Sequence, residues 1–345
     1  MYCPAAGPTY QRSRGATHLR DGRIQTNRPF FSSEFLSDGR CQIKGCLVHA
    51  SRLATKNPTN NAGCLRQGRF GKVYVAVNNK TGELMAMKEI ALQPNDHRTI
   101  RSVADELHIF EGIHHPHLVR YYGLEIHREE MIIFMEFCPE GTLEHLVAST
   151  EAGLPEELIR RFTRQLLEAV TVLHENGIVH RDIKGANIFL TDVGNCLKLG
   201  DFGCAAKIKS QTTMFGELQG FLFMAPEVFM HTMTEGHGRA ADIWSVGCVV
   251  IEMATGKRPW YELESNYAIM FKVGMGEVPP TPPTLSEEGQ AFLSHLLQHD
   301  PKQRESAANL LEHNFLKVYQ EDDPLYSAVI RHPVSSLSKK LAGEA

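Results

Sequence analysis

Between residues 71 and 137 apolar side chains occur in short runs rich in β-branched residues. The runs KVYVAV (72–77) and ELMAMKEI (83–90) are typical of strands, and the NNKTG between them holds the Asn and Gly that tight turns favour. They predict a hairpin. LVRYYGLEI (118–126) and MIIFMEF (131–137) predict two more strands. We therefore expect a small antiparallel sheet in this part of the chain.

Apolar residues spaced three or four positions apart predict helices elsewhere in the chain. One such pattern covers 99–112, beside the predicted strands. Another has Gly177 as its expected C-terminal cap, and its apolar face is formed by Leu158, Ile159, Phe162, Leu166, Val170 and Leu173. Residues 240–254 are apolar nearly all round, as in a helix at the centre of a lobe. Further helices are predicted near 266–273, 287–298 and 306–313. The predicted fold class is α+β: a small antiparallel β lobe with one helix, followed by a larger, mainly helical lobe.

Composition and charge narrow the class of protein. The 345 residues are 42% hydrophobic and 22% charged, as in an ordinary globular protein, and the longest apolar runs are too short to cross a membrane. Residues 1–64 carry nine Lys or Arg against three Asp or Glu, whereas residues 65–345 carry 27 against 37. The acidic body argues against nucleic-acid binding. The N-terminal residues lack the apolar core of a secretory signal, and the eight cysteines contain no C-x-x-C pair. We therefore expect a cytoplasmic protein without membrane insertion.

The two ends of the chain lack a periodic pattern. Residues 1–64 are rich in Pro, Gly, Ser, Asn and Arg, and we predict that they are disordered. Residues 319–345 begin acidic and end in SSLSKKLAGEA, which predicts a flexible tail.

Four short motifs follow one another through the remaining sequence. Lys88 ends MAMK on the second predicted strand, HRDIKGAN spans 180–187, DFG spans 201–203 and MAPE spans 224–227. In this order and spacing they resemble the protein kinase family over residues 65–318. The resemblance implies a bilobal protein-kinase-like fold, with residues 65–140 as the N-lobe and hinge and 141–318 as the C-lobe.

The resemblance also implies the roles of the residues around the reacting phosphate. Lys88, held by Glu106, would bind the α- and β-phosphates of ATP. Asp182 would orient the substrate hydroxyl and accept its proton, while Lys184 would steady the transferring phosphoryl group. The metal ligands for Mg²⁺ would be Asn187 and Asp201.

Further roles follow from the same resemblance. The ATP pocket would be lined, besides Lys88, by Leu65, Gly68, Gly71, Val73, Ala86, Met135, Glu136, Cys138 and Phe189. Asp242 is expected to brace the catalytic loop, and Arg304 to pair with Glu227. The regulatory phosphorylation sites would be Ser210, Thr212 and Thr213, which could pair with Arg181 once modified. An equally good explanation is that they are ordinary hydroxyl residues of a solvent-exposed loop.

The kind of kinase is indicated by further residues. Lys184, two positions after Asp182, resembles the serine/threonine kinases. Segments such as TGELMAMKEI, HREEMIIFME and LGDFGCAAK resemble MAP kinase kinase kinases of the MEKK branch. That resemblance implies transfer of the ATP γ-phosphate to MAP kinase kinases as protein substrates in a stress-type cascade.

Two departures from the kinase pattern leave a second function open. The first glycine of G-x-G-x-x-G is Arg66, and the strand expected before it has little β propensity. The threonine that precedes the MAPE motif in relatives is replaced by Gly220. These changes are compatible with a catalytically weak kinase-fold scaffold that binds cascade partners.

The histidines of HHPH (114–117) could suggest a zinc site, but they are better explained as part of a surface loop.

Overall fold

The structure of the protein is a computed structural model. The structure describes residues 71–78, 81–92, 110, 112–126, 130–150, 152–201, 222–229, 237–263 and 265–317, and short strands at 19–20, 23–24, 40–43, 46–49 and 64–68. The chain forms two compact units. Unit 1 comprises Met1–Asp96 and Gly123–Phe134, and unit 2 comprises His97–Tyr122 and Met135–Ala345.

The strands that the sequence predicted between residues 71 and 137 are confirmed, and they belong to a seven-stranded sheet. The strands are β3 (Arg40–Ile43), β4 (Cys46–His49), β5 (Cys64–Gly68), β6 (Gly71–Asn78), β7 (Leu84–Ala91), β8 (Tyr121–Ile126) and β9 (Glu130–Glu136). Their order is β3-β4-β6-β7-β9-β8, with β5 also paired to β6. The turn between β6 and β7 passes through Gly82 at φ +75°, a conformation that glycine adopts without strain.

Residues 1–64 contain short strands where the sequence predicted none. β1 (Leu19–Arg20) pairs with β2 (Arg23–Ile24), and β3 pairs with β4, which in turn pairs with β6 at Val48–Asn78. Pairing of β4 with β6, rather than the local sequence pattern, places β3 and β4, whereas β1 and β2 pair only with each other. The predictions of disorder for 1–64 and of a flexible tail at 319–345 stay predictions, as does the division of the lobes at residue 140.

Five of the described helices of unit 2 lie where the apolar spacing predicts them, whereas the short helices Leu143–Ala148 and Pro226–Phe229 had no predicted counterpart. The described helices are α1 (Leu143–Ala148), α2 (Glu156–Glu175), α3 (Pro226–Phe229), α4 (His237–Thr255), α5 (Asn266–Gly274), α6 (Glu287–Leu296) and α7 (Ala307–Leu310). The helix predicted at 306–313 is shorter than expected. The helix predicted at 99–112 lies outside the described residues except near its end, where Phe110 is helical and buried.

The core of unit 2 is built where α2 packs against α4. Leu158, Ile159, Phe162 and Leu166 of α2 are all 0–1% exposed, as are Trp244 and Val249 of α4. Helix α2 ends before Gly177, which takes φ +74° just beyond the C-cap, as the sequence predicted.

A short hairpin of unit 2 was not anticipated from the sequence. β10 (Ile188–Thr191) and β11 (Cys196–Leu199) pair antiparallel, with Ile188 opposite Leu199. Leu199 also exchanges backbone hydrogen bonds with residues 117 and 119. The hairpin therefore connects the end of HRDIKGAN to the start of DFG and fixes the spacing between the two motifs.

Candidate active site

The site residues of unit 1 lie on the β6–β7 ladder. Val73 is directly opposite Lys88, and Val75 is directly opposite Ala86. Since opposed residues share a face and alternate residues return to it, Val73, Ala86 and Lys88 lie on the same face of the sheet. Lys88 is 6% exposed, so its long side chain is largely covered.

The segment before the altered glycine loop, which was expected to have little β propensity, nevertheless forms strand β5. β5 pairs with β6 from Cys64–Tyr74 through Arg66–Val73 to Gly68–Gly71, with an irregularity between Cys64 and Arg66. Leu65 lies in this strand, and Gly68 and Gly71 close its turn. The backbone hairpin therefore forms with arginine in place of the first glycine, because pairing with the strongly β-forming β6 overrides the weak propensity of β5.

Met135 and Glu136 end strand β9, and Cys138 follows two residues later. The Glu136 amide donates to the Arg120 carbonyl at 2.8 Å, so only its carbonyl is left to accept from an adenine. The Glu136 carboxylate lies 3.1 Å from the Lys198 Nζ and accepts from the Arg120 amide. Burial and the nearby Glu136 raise the pKa of the Cys138 thiol to about 12.

The HRDIKGAN segment brings three of the predicted residues together. Asn187 Nδ2 donates at 2.8 Å both to the Asp182 carbonyl and to its Oδ2, and Lys184 Nζ lies 3.0 Å from Asp182 Oδ1. Lys184 and Asn187 are buried, whereas the side chain of Asp182 is 23% exposed. The carboxylate is therefore held from both oxygens while part of it still faces outward.

Asp242 of α4 braces this loop, as predicted. Its carboxylate, 1% exposed, accepts from the amides of His180 at 2.9 Å and Arg181 at 2.8 Å. It also lies 2.9 Å from Nε2 of His174, a contact that the sequence did not suggest. Arg181 takes φ +65°, which non-glycine residues adopt only when surrounding bonds hold them.

The residues predicted to bind Mg²⁺ offer the oxygen atoms that this cation prefers. Both contacts of the Asn187 amide with Asp182 use Nδ2, which leaves Oδ1 as the atom that could coordinate a metal. Asp201 takes φ +56° directly after Gly200, whose amide donates to the Asn187 carbonyl at 2.9 Å. The donor set therefore fits Mg²⁺, and Asn187 and Asp201 stay its predicted protein ligands.

Phe189 lies in β10, and its ring is one of the two side chains closest to Gly200. A Cβ built at Gly200 would come within 2.7 Å of the Val119 side chain and 3.0 Å of the Phe189 ring. Only glycine fits there, so the backbone just after β11 packs closely against both residues.

The predicted pairing of Arg304 with Glu227 is confirmed. NH1 donates to Oε1 at 2.7 Å and NH2 to Oε2 at 2.8 Å, with both side chains almost fully buried. Four residues before Glu227, Phe223 is buried and its carbonyl accepts from Ser245 Oγ. Leu222 packs on a cluster formed by Trp260, Ile269 and Val273. These two members of the FLF run at 221–223 are therefore covered by unit 2 itself.

Two carboxylates near the loop escaped the sequence analysis. Glu252 of α4 is 3% exposed, and burial, followed by the charge of Glu144, raises its pKa to about 7. A Cβ at Gly185 would meet Glu252 Oε2 at 2.5 Å, so this carboxyl lies directly against the catalytic loop. A charged residue within an apolar helix is the one signal that could have marked Glu252.

The second carboxylate is Glu140. It accepts from the amides of Val193 and Gly194 and so fixes the β10–β11 turn.

Several predicted residues lie outside the described part of the chain: Glu106, Ser210, Thr212 and Thr213. Their roles stay predictions. Among the described residues, none of the helices is long and apolar enough to span a membrane. The same residues, HHPH included, hold no group of three or more His, Cys, Asp or Glu that could bind a metal ion.

The braced HRDIKGAN loop, the following β10–β11 hairpin and the buried Arg304–Glu227 pair are features of one class of protein. The sequence model of the protein kinase domain matches residues 60–316, and the chain belongs to the protein kinase family. A crystal structure of Rad53 residues 1–466 in complex with AMP-PNP resembles it with a TM-score of 0.62 at 32% identity, covering 73% of this chain and 63% of that one. The predicted bilobal kinase fold is thereby confirmed.

Within that family the chain is similar to MAP kinase kinase kinases, which confirms the predicted resemblance. It is 61% identical over 262 residues to mitogen-activated protein kinase kinase kinase 4 of Mus musculus, covering 74% of this chain and 16% of the relative. It is 38% identical over 293 residues to MAP kinase kinase kinase wis4 of Schizosaccharomyces pombe, covering 80% and 20%. The chain therefore spans a fifth or less of these two relatives.

Proposed function

We propose that the chain is an ATP-dependent serine/threonine kinase that phosphorylates MAP kinase kinases in a stress-type cascade in the cytoplasm. The observation that carries the proposal is the arrangement of Asp182, whose two carboxylate oxygens contact Asn187 and Lys184 at 2.8 and 3.0 Å. Phosphoryl transfer depends on positioning and charge neutralisation more than on covalent help from the protein. A carboxylate fixed in this way is suited to orient a hydroxyl nucleophile.

The chain's own residues would divide the work as follows. Asp182 accepts the proton of the substrate hydroxyl, and Lys184 neutralises charge that develops on the phosphoryl oxygens. Lys88 holds the α- and β-phosphates, and Asn187 and Asp201 hold Mg²⁺, which when bound neutralises the phosphates. Val73, Ala86 and Phe189 provide apolar surface for the adenine.

The experiment is transfer of labelled γ-phosphate from Mg-ATP to a catalytically dead MAP kinase kinase. Asp182→Ala should lower the rate by about 10²–10⁴-fold, as expected when a catalytic base is removed. Asp300→Ala, at a surface aspartate far along the sequence from the loop, is the matched control and should leave the rate unchanged. Equal rates for the wild type and Asp182→Ala would refute the proposal.

Regulation by phosphorylation at Ser210, Thr212 or Thr213 belongs to the same proposal. A phosphate on one of these residues could pair with Arg181, whose backbone is already held by Asp242. Phosphopeptide mapping of the active protein tests this part. Full activity of a chain with all three residues changed to Ala would exclude it.

The second candidate is a catalytically weak scaffold that binds cascade partners, which Arg66 and Gly220 motivate. The closed β5–β6 hairpin supports the enzyme instead, since Arg66 is accommodated in the ladder opposite Val73. The double change Arg66→Gly and Gly220→Thr distinguishes the two. Nucleotide binding that remains unmeasurable after both changes, with partner binding that survives Asp182→Ala, would favour the scaffold.

A further inference from the structure

A cavity of about 410 Å³ lies in unit 2, bordered by the HHPH segment and by β11. Its lining combines apolar and aromatic side chains, among them Ile113, Leu118 and Tyr122, with the charged side chains of Arg120 and Lys198. All the lining residues belong to unit 2, so the cavity lies within one compact unit. Ligand sites in proteins commonly have volumes of roughly 300–1,000 Å³. The cavity is therefore large enough to bind a ligand or a short peptide segment.

The charges around the cavity leave one arginine without a matching carboxylate. Lys198 Nζ lies 3.1 Å from Glu136 Oε2, so these two charges neutralise each other. The guanidinium of Arg120 lies over the ring of Tyr122, 5.5 Å from its centroid, and no carboxylate in the described part of the chain is paired with it. Burial lowers the pKa of His115, so this ring adds little positive charge. The cavity therefore suits a ligand that combines negative charge with an apolar body.

The C-terminal part of the chain leaves unit 2 in the direction of this cavity. Arg160 NH1 donates to the Phe315 carbonyl at 3.1 Å, and Arg164 NH1 donates to the next carbonyl, that of Leu316, at 3.2 Å. Since Arg164 lies one turn after Arg160 in α2, the chain advances along this helix toward its C-terminal end. One turn further along the helix lies Glu168, which contacts Arg164 at 3.0 Å.

Glu168 connects this path to the cavity. Its Oε2 is 3.5 Å from His117 Nε2, and the His117 ring lies 5.5 Å from the ring of His115, which lines the cavity. With ordinary bond lengths, these contacts place the edge of the cavity within about 20 Å of the Leu316 carbonyl. An extended chain covers about 3.3–3.6 Å per residue, so residues 321–323 can reach this edge and the next few residues can reach the interior.

We propose that the cavity binds the segment EDDPLY (321–326) of the chain's own C-terminal tail. Its three carboxylates complement Arg120, and Leu325 and Tyr326 supply the apolar body. Because the segment is tethered a few residues away, its effective concentration is of the order of millimolar, so individually weak contacts suffice. The proposal is independent of phosphoryl transfer, because neither Arg120 nor the segment takes part in that reaction.

The test places the photo-crosslinking amino acid benzoylphenylalanine in the full chain instead of Leu325 and maps its adducts by mass spectrometry. We expect the main adducts within residues 113–122, in a yield that does not depend on protein concentration. Adducts that join two chains, with a yield that rises with concentration, would mean that a second copy supplies the segment and would overturn the proposal. Adducts without preference for 113–122 would equally overturn it and leave the cavity to an acidic segment of another protein.

Two charge variants test whether Arg120 holds the segment. Arg120→Glu should lower the yield of adducts within 113–122 by about fivefold, which is the largest effect usual for an exposed ion pair. The matched control is Arg239→Glu, at an exposed arginine of α4 that does not line the cavity, and it should leave the yield unchanged.

A third variant changes only the tail, so it stays informative even if Arg120→Glu does not fold, as judged by circular dichroism. It neutralises all three carboxylates of the segment: Glu321→Gln, Asp322→Asn and Asp323→Asn. We expect the same loss of adducts within 113–122. A yield that stays at the wild-type level in this variant, or in the folded Arg120 variant, overturns the proposal.

Discussion

Glu227→Gln probes the buried ion pair that joins α3 to the segment before α7. Both guanidinium nitrogens of Arg304 contact the Glu227 carboxylate at 2.7 and 2.8 Å, and the two side chains are 0% and 2% exposed. Removing one partner of a buried pair costs about 3–5 kcal/mol, because the other charge stays buried without compensation. Here three carbonyls still accept from the guanidinium: Gln298, Ala240 and His299. We therefore expect the lower end, about 3 kcal/mol.

The assay is thermal unfolding, followed by circular dichroism. For a domain of this size 1 kcal/mol corresponds to about 2–4 °C, so the Tm should fall by about 6–12 °C. The matched control is Glu144→Gln, which breaks the Arg258–Glu144 pair, at 2.9 Å but with side chains 44% and 22% exposed. An exposed pair contributes about 0–1 kcal/mol, so its Tm should fall by no more than about 4 °C. Equal shifts for the two variants would refute the reasoning from burial.

Three further predictions concern strain, protonation and the catalytic loop. Val193 is exposed at φ +56°, a conformation that strains valine but not glycine. Val193→Gly should therefore raise the free energy of unfolding by up to about 1 kcal/mol, seen as a higher urea midpoint, and a lower midpoint would contradict this. Glu252, with a pKa raised from 4.5 to about 7, keeps a proton that the unfolded chain releases, so stability should fall by about 3 kcal/mol as pH rises from 4.5 to 7. Urea unfolding at pH 5 and pH 8 should show that Glu252→Gln abolishes this fall; an unchanged fall would exclude Glu252 as its source. Asp242→Asn should reduce γ-phosphate transfer at least about tenfold in a chain that still unfolds cooperatively, and unaltered transfer would show that the brace is dispensable.

The sequence predicted the elements whose signal is local. The apolar face of α2 repeats every three or four residues because one side of the helix is buried, so Leu158, Phe162 and Leu166 identify both the helix and its core side. The β6–β7 hairpin could be predicted equally well from the sequence, since its strand-forming runs and its turn residues lie next to each other. Gly177 could be assigned for the same reason, as a cap is decided by the residues just before it.

The β10–β11 hairpin could not be predicted from local pattern. Its strands have four residues each, and its turn places Asp192 and Val193 at positive φ, which valine rarely adopts. Glu140, 53 positions earlier, bonds the turn amides. Tertiary contact therefore sets a conformation that the turn's own residues disfavour.

The residues of the candidate site could be predicted from the sequence, but the contacts between them could not. Resemblance to kinases identified Asp182, Lys184 and Asn187, but it gave no reason to expect His174 at 2.9 Å from Asp242. That pair is separated by 68 positions, and Glu252 reaches Gly185 across a similar gap. Contacts of this kind follow from the packing of α2 against α4, which single-residue patterns do not encode.

The energetics of the catalytic loop depend on Asp242 rather than on the altered glycine loop. Holding Arg181 at φ +65° costs about 1–2 kcal/mol, and Asp201 at φ +56° adds a similar amount. Against this, the Asp242 carboxylate accepts two backbone bonds of the charge-assisted kind, worth about 1.5–3 kcal/mol each, and the His180 ring lies 3.1 Å from the Gly200 carbonyl. These bonds are large enough to offset strain of that size, and every partner lies between residues 180 and 242. None of these partners lies in β5, so we expect a loss of activity caused by Arg66 to arise at nucleotide binding and not at Asp182.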